Sequence, residues 1–89
     1  MSSTADRAEL IRRVQGVLGR VLDDSIRTWP VDRPLSDAPD VNYDSVTRVE
    51  TVAAMEAEFG VDLDVVAAED LASVGALANL VGRAKQPGA

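Results

Sequence analysis

A serine that precedes a helical pattern is the residue of this chain whose type and position best suit chemistry. Ser45 follows Asp44 and a loop rich in proline and aspartate, and apolar residues recur after it at helical spacing. The hydroxyl should therefore lie on the surface at a helix N-terminus, beside a carboxylate. Capping of the helix by Ser45 or Asp44 is the plainer interpretation of the same residues, and it is compatible with a chemical role.

The amino-acid composition argues against catalysis by the chain itself. Neither cysteine nor histidine occurs in its 89 residues, which removes thiolate nucleophiles, imidazole bases, disulfides and nearly all transition-metal sites. Ser45 as an enzymatic nucleophile is therefore a weak alternative, because no histidine can activate it. The aspartates also lack the spacing and central glycine of an EF-hand, so no metal site is expected.

Negative charge is concentrated after the first helix. The formal net charge is -6, yet residues 1–22 hold four arginines against two acids. Nucleic acid is thus not an expected partner, because phosphate recognition needs clustered Lys and Arg. A basic protein surface is the natural complement of the acidic remainder.

Length and composition predict one small all-α domain. Apolar residues make up 46% of the chain but aromatic residues only 3%, and the apolar set is mostly Ala, Val and Leu, which suits a helical bundle. We expect residues 1–89 to form a single domain with disordered tails at 1–5 and 86–89. The polar N-terminus and the lack of a long apolar run favour a cytoplasmic location and no membrane partner.

The helical pattern predicts a four-helix bundle made of three main helices and one short helix, with a long first loop. Asp6 is the predicted N-cap of the first helix, Gly60 ends the second and Ser73 caps the last. The predicted helices span 6–22, 45–59, 67–71 and 74–85, and the loop spans 23–43.

Trp29 lies in this long loop and has two interpretations. It could cover the end of the bundle while its indole N–H reaches a carbonyl or water. Alternatively it could contact a partner, since tryptophan is enriched at interface hot spots.

The residues from about 40 to 83 resemble the acyl carrier proteins. The resemblance depends on the motif Asp44-Ser45-Val46 and on the acidic helix after it, which ends in Phe59-Gly60-Val61-Asp62-Leu63. In that family a phosphopantetheinyl transferase esterifies 4'-phosphopantetheine, taken from coenzyme A, to the motif serine, and the thiol of this group carries acyl chains as thioesters. The resemblance implies that Ser45 is the attachment residue and that Asp44 helps to orient the transferase's metal-bound cofactor.

The resemblance also implies a docking surface on the second helix. Acidic residues at the positions of Glu50, Glu56 and Glu58 dock onto basic patches of partner enzymes in the family, and Val46 replaces a longer apolar residue. Arg48 interrupts the acidic surface, so we expect it to narrow the choice of partners. The expected partners are the transferase, an acyl-loading ligase or transferase, and a ketosynthase or other synthase component.

Four apolar residues of this helix are expected to face the core, where carriers can open a cavity for the acyl chain: Val49, Ala53, Met55 and Phe59. Asn42 stands where many relatives have glycine, and asparagine tolerates a left-handed backbone. Tyr43 makes the motif resemble polyketide carriers.

The resulting prediction is a monomeric, free-standing, non-catalytic acyl carrier for polyketide, lipopeptide or fatty acid synthesis. A peptidyl carrier is the nearest alternative, although it would show two glycines before the motif and a less acidic second helix. An unmodified acidic module for protein interaction is the alternative of a different class.

Overall fold

The computed structural model describes residues 4–63 and 67–85, which contain three α-helices and no strand. This confirms the predicted all-α class with three main helices. The helices are α1 (Thr4–Val21), α2 (Ser45–Phe59) and α3 (Val74–Ala84), and single 3-10 turns lie at Asp24–Thr28, Leu35–Asp37 and Ala68–Leu71. The predicted short helix is therefore one 3-10 turn. No helix in the described ranges combines the length and apolar character needed to cross a membrane.

α1 packs one apolar stripe into the core. Val14, Val17 and Leu18 follow the three- and four-residue spacing of a helix face, and all three are buried. The helix begins at Thr4, so Asp6 lies inside its first turn and the prediction of Asp6 as the N-cap is wrong. Thr4 and Ala5 likewise belong to the helix, whereas the rest of the predicted tails, 1–3 and 86–89, lies outside the described residues.

α2 has the predicted bounds because both of its ends carry clear signals. The Asp44 carboxylate accepts the Thr47 N–H at 2.9 Å and caps the N-terminus. Gly60 has φ 65° and ψ 38°, and its N–H donates to the Glu56 carbonyl at 2.9 Å. This left-handed conformation favours glycine and ends the helix.

The buried face of α2 is narrower than its apolar sequence predicts. Thr51 and Met55, one turn apart, are both fully buried, and the Thr51 hydroxyl is satisfied by the Thr47 carbonyl at 2.9 Å. Each residue advances the helix by about 100°, so Val49 lies on nearly the opposite side from Thr51. Val49 is 69% exposed and Ala53 is also exposed, so the prediction that they face the core is wrong.

The long first connection is hydrogen-bonded to residues at the N-terminal end of α3. The Leu35 N–H donates to the Ala72 carbonyl at 2.8 Å, and the Gly75 N–H donates to the Val31 carbonyl at 2.9 Å. A Cβ on Gly75 would lie 3.1 Å from Val31 Cγ1, which explains the absence of a side chain there. Ile26 and Leu35 are fully buried, so the connection also contributes to the core.

Trp29 belongs to the same connection, and its indole N–H reaches a carbonyl, as the first of its two interpretations expects. Its ring is half-buried and its Nε1–H donates to the Arg33 carbonyl at 3.2 Å. The Arg33 guanidinium lies 4.9 Å from the ring centroid.

α3 supplies the most strongly apolar face of the fold. The Ser73 hydroxyl accepts the Ala76 N–H at 3.1 Å, which confirms the predicted N-cap. The fully buried side chains that follow at helical spacing are Val74, Leu77, Ala78 and Val81. The core thus lies between α1 and α3, and α2 covers it with Thr51 and Met55.

Candidate functional site

Ser45 is the first residue of α2 and its side chain is exposed. Asp44, and not Ser45, caps the helix, so the serine hydroxyl makes no hydrogen bond to the residues that the structure describes. The Thr47 N–H lowers the pKa of the Asp44 carboxyl, which keeps this group charged beside the serine. The hydroxyl is therefore free to react and lies next to a fixed negative charge.

The other serines in the described ranges are placed differently. Ser25 donates its hydroxyl to the Asp23 carboxylate, and Ser73 caps α3. Ser36 is exposed but lies in a three-residue 3-10 turn. Among these residues Ser45 alone combines an exposed hydroxyl with the start of a long helix.

Tyr43 fixes the backbone just before this serine. Its ring is only 7% exposed, and its hydroxyl donates to the Leu71 carbonyl at 2.6 Å. Burial raises the pKa of Tyr43 to about 12. The hydrogen bond spans 28 residues and ties the segment before Ser45 to the segment before α3. Sequence reasoning used Tyr43 only as a family marker and missed this role, although a buried tyrosine hydroxyl normally requires a partner.

Asn42 contributes through its backbone. Its carbonyl accepts the Asp44 N–H at 2.9 Å and the Thr47 hydroxyl at 3.0 Å. Its φ is not positive, so the left-handed conformation considered for this position is not used.

A groove of about 360 Å³ lies along the same side of α2 as Ser45. Ser45, Val49, Val52 and Glu56 recur at spacings of four, three and four residues and thus share this side. Leu63 and Leu71 lie on its other side, and the described residues that line it are Arg48, Val49, Val52, Ala53, Glu56, Leu63 and Leu71. It is open to solvent and mostly apolar.

The four residues predicted to form the core or an acyl cavity lie in different places. Val49 and Ala53 line the open groove. Met55 is fully buried in the core, and Phe59 is partly buried against it with the Arg13 guanidinium 4.6 Å from its ring centroid. The structure therefore brings two of the four beside the Ser45 side of α2 and places the other two elsewhere.

The three predicted docking acids also differ in their surroundings. Glu50 is exposed and forms no ion pair with a described residue. Glu56 accepts the Leu63 N–H at 2.8 Å. Glu58 is engaged by two arginines of α1, Arg20 at 3.1 Å and Arg13 at 3.5 Å, and these contacts lower its pKa. No local pattern predicts this cluster, because the two arginines lie 38 and 45 positions from Glu58 in the chain.

Two further residues flank the serine on α2. Val46, the next residue, is 67% exposed and so presents apolar surface to solvent beside the serine. Arg48 is half-buried, and its guanidinium lies 5.4 Å from the Tyr43 ring centroid.

Comparison with known protein families gives one match. The model of the phosphopantetheine attachment site family matches residues 8–81, from the second turn of α1 to the last turn of α3, and so includes Ser45. Searches of curated proteins and of solved structures gave no match. The family match spans most of the chain and agrees with the all-α fold and with the resemblance to acyl carrier proteins. The chain belongs to the phosphopantetheine attachment family, whose domains carry covalently bound 4'-phosphopantetheine.

Proposed function

We propose that Ser45 carries the 4'-phosphopantetheine group and that the chain is an acyl carrier protein. The observation that carries this proposal is the exposed Ser45 at the start of α2, whose hydroxyl bonds to no described residue and which lies within the region matched by the family. In the reaction the Ser45 oxygen bonds to the phosphorus adjoining the pantetheine of coenzyme A. The pyrophosphate bond breaks, 3',5'-ADP leaves and the hydroxyl loses its proton.

The residues around Ser45 fit such a group. The serine oxygen is accessible, the helix N-terminus favours a phosphodiester, and an apolar groove lies along the same side of α2. Asp44 already accepts the Thr47 N–H through one carboxylate oxygen, so it can hold its position while a transferase approaches. The bound group supplies the thiol that the chain lacks, and acyl chains are held on it as thioesters.

We assign partner docking to the exposed start of α2, formed by Val46, Val49 and Glu50 and called here the α2 docking surface. Two exposed valines supply apolar contact, and Glu50 supplies a charge that no described residue neutralises. Glu56 and Glu58 contribute less, because they already bind the Leu63 N–H and the arginines of α1. The proposed partners are a phosphopantetheinyl transferase, an acyl-loading enzyme and synthase components with basic patches.

The proposal extends to a polyketide or lipopeptide pathway, with fatty acid synthesis as the alternative. This part depends on the motif Tyr43-Asp44-Ser45, which resembles polyketide carriers. The chain itself performs no reaction, since it offers no histidine or cysteine to activate a substrate.

The intact mass of the purified chain after incubation with coenzyme A and a broad-specificity phosphopantetheinyl transferase tests the attachment. The wild type and the control Ser36→Ala should each gain one phosphopantetheinyl group, and Ser45→Ala should gain none. A gain in Ser45→Ala would move the site to another serine. The absence of any gain in wild type that is folded by circular dichroism would instead favour an unmodified interaction module.

The rate of the same modification tests the α2 docking surface. Val46→Ser and Val49→Ser should each lower kcat/KM of the transferase, because both remove exposed apolar contact near the reacting hydroxyl. Ala57→Ser, an exposed position near the other end of α2, serves as the matched control. Equal rates for all three variants would refute the assignment.

A further inference from the structure

Arg48 is placed to reach the oxygen of Ser45. The two residues are three positions apart on α2, so their Cβ atoms lie about 5 to 6 Å from each other. Long side chains on a helix lean toward its N-terminus. The position of the guanidinium 5.4 Å from the Tyr43 ring centroid agrees with this direction, because Tyr43 precedes the helix.

Arg48 also differs from the other arginines of the chain in its contacts. Six of them form an ion pair with a carboxylate or donate to a side-chain amide of a described residue. Arg12 and Arg48 have no such acceptor in the described ranges, and Arg12 is an exposed residue of α1. Arg48 is thus a half-buried residue whose guanidinium donors are not used by those residues.

We propose that Arg48 binds the phosphodiester attached to Ser45 and is therefore a positioning residue for the arm. This inference rests on the proposed attachment at Ser45. A planar guanidinium can donate two parallel hydrogen bonds to phosphate oxygens, and stacking on Tyr43 holds its plane. Asp44 places a negative charge near the same phosphate, and the positive charge of Arg48 offsets the repulsion between them.

The same contact would direct the arm along α2. Arg48 lines the groove together with Val49 and Val52, so a phosphate held by Arg48 lies at the end of this groove nearest Ser45. The arm then begins on the groove side of the helix and leaves the exposed Val46 uncovered. The groove beside the arm and the α2 docking surface therefore share Val49, whereas Val46 and Glu50 are not among the groove residues.

NMR of the modified protein tests this proposal, after intact mass has shown that the group is attached. The ¹⁵Nε–H resonance of Arg48 should shift between the unmodified and modified wild type, and that of Arg12 should not. The ³¹P signal of the wild type should relax at the rate of the folded domain. In Arg48→Met, which keeps an apolar stem over Tyr43, it should relax as a mobile group, whereas the control Arg12→Met should match the wild type.

The outcomes separate this proposal from the attachment itself. Failure to gain mass would refute the attachment at Ser45. A modified wild type whose Arg48 resonance does not move, or whose ³¹P relaxation equals that of a folded Arg48→Met, would overturn the role of Arg48 while the attachment stands. If Arg48→Met changed only the rates with partner enzymes, Arg48 would act in docking and not in positioning the arm. The resonance comparison uses the wild type alone, so it remains decisive even if the variant fails to fold.

Discussion

Replacement of Tyr43 by phenylalanine isolates the hydrogen bond that anchors the segment before Ser45. Phenylalanine keeps the buried ring but leaves the Leu71 carbonyl without the donor that it has at 2.6 Å. Loss of such a bond with one buried partner left unsatisfied costs about 1 to 2 kcal/mol. For a domain of this size that is a substantial part of a total free energy of unfolding of about 5 kcal/mol.

The pH dependence of the same variant gives a second and sharper expectation. In the folded chain the pKa of Tyr43 is about 12, against 10.0 for an ordinary tyrosine. The unfolded chain therefore loses this proton first, and the wild type loses stability as the pH rises above 10. The slope approaches about 1.4 kcal/mol per pH unit until the folded pKa is reached. Tyr43→Phe has no such group, so the two stabilities should become equal near pH 11, about one unit above the ordinary pKa.

Urea unfolding followed by far-UV circular dichroism at several pH values between 7 and 11 measures both effects. Titration of tyrosinate absorbance gives the pKa directly, because the chain has one tyrosine. All other titrating groups are common to the wild type and Tyr43→Phe, so their effects cancel in the difference between the two free energies of unfolding. If the difference in free energy of unfolding stayed constant up to pH 11, or if Tyr43 titrated near pH 10, the buried and hydrogen-bonded position of its ring would be refuted.

Three further predictions concern an ion pair, two glycines of α3 and the two sides of α2. Contacts with arginine lower the pKa of Glu58, so the wild type loses the stabilisation from these contacts as the pH falls from about 4.5 through the lowered pKa. Glu58→Gln lacks this titrating group, so its melting temperature should fall less on acidification than that of the wild type. Gly75→Ala should lower the free energy of unfolding in urea by about 1 to 3 kcal/mol, because its Cβ would be crowded by Val31. In the control Gly82→Ala the new Cβ would make only an ordinary van der Waals contact, so this variant should be more stable by up to about 1 kcal/mol. Met55→Ala should cost about 2 to 5 kcal/mol and Val49→Ala less than about 0.5 kcal/mol; equal costs would contradict the assigned burial.

The parts of the fold that sequence predicts well are those with local causes. The start and end of α2 follow from Asp44 as a cap and Gly60 in a left-handed conformation, and both act within a few residues. The cap of α3 by Ser73 is of the same kind. By contrast, the start of α1 was misplaced because Asp6 has the composition of a cap but lies inside the helix.

The orientation of α2 could not be predicted from its own residues. Apolar side chains lie on more than one side of this helix, so periodicity alone allows several buried faces. Packing against α1 and the shared core selects the face with Thr51 and Met55, although Thr51 is polar. The hydroxyl of Thr51 is acceptable there because it bonds to a carbonyl of its own helix, and Val49 is left outside.

The contacts of the site residues depend on partners far away in the chain. Glu58 meets Arg20, and Tyr43 meets the Leu71 carbonyl, across separations of 38 and 28 residues. A single sequence contains no local signal for such pairs. The identity of Ser45 as the candidate was predictable, whereas the surroundings that hold it in place were not.

The hydrogen bonds between the first connection and residues 71–75, at the start of α3, also limit where the chain can change in length. Val31, Leu35 and Tyr43 are each fixed to a different residue between 71 and 75. Ser45 lies only two positions after the last of these links, so the link at Tyr43 determines how far the serine lies from the start of α3. A residue inserted between Leu35 and Tyr43 must bulge outward or break a link, while an insertion before Val31 would leave the spacing of the serine unchanged.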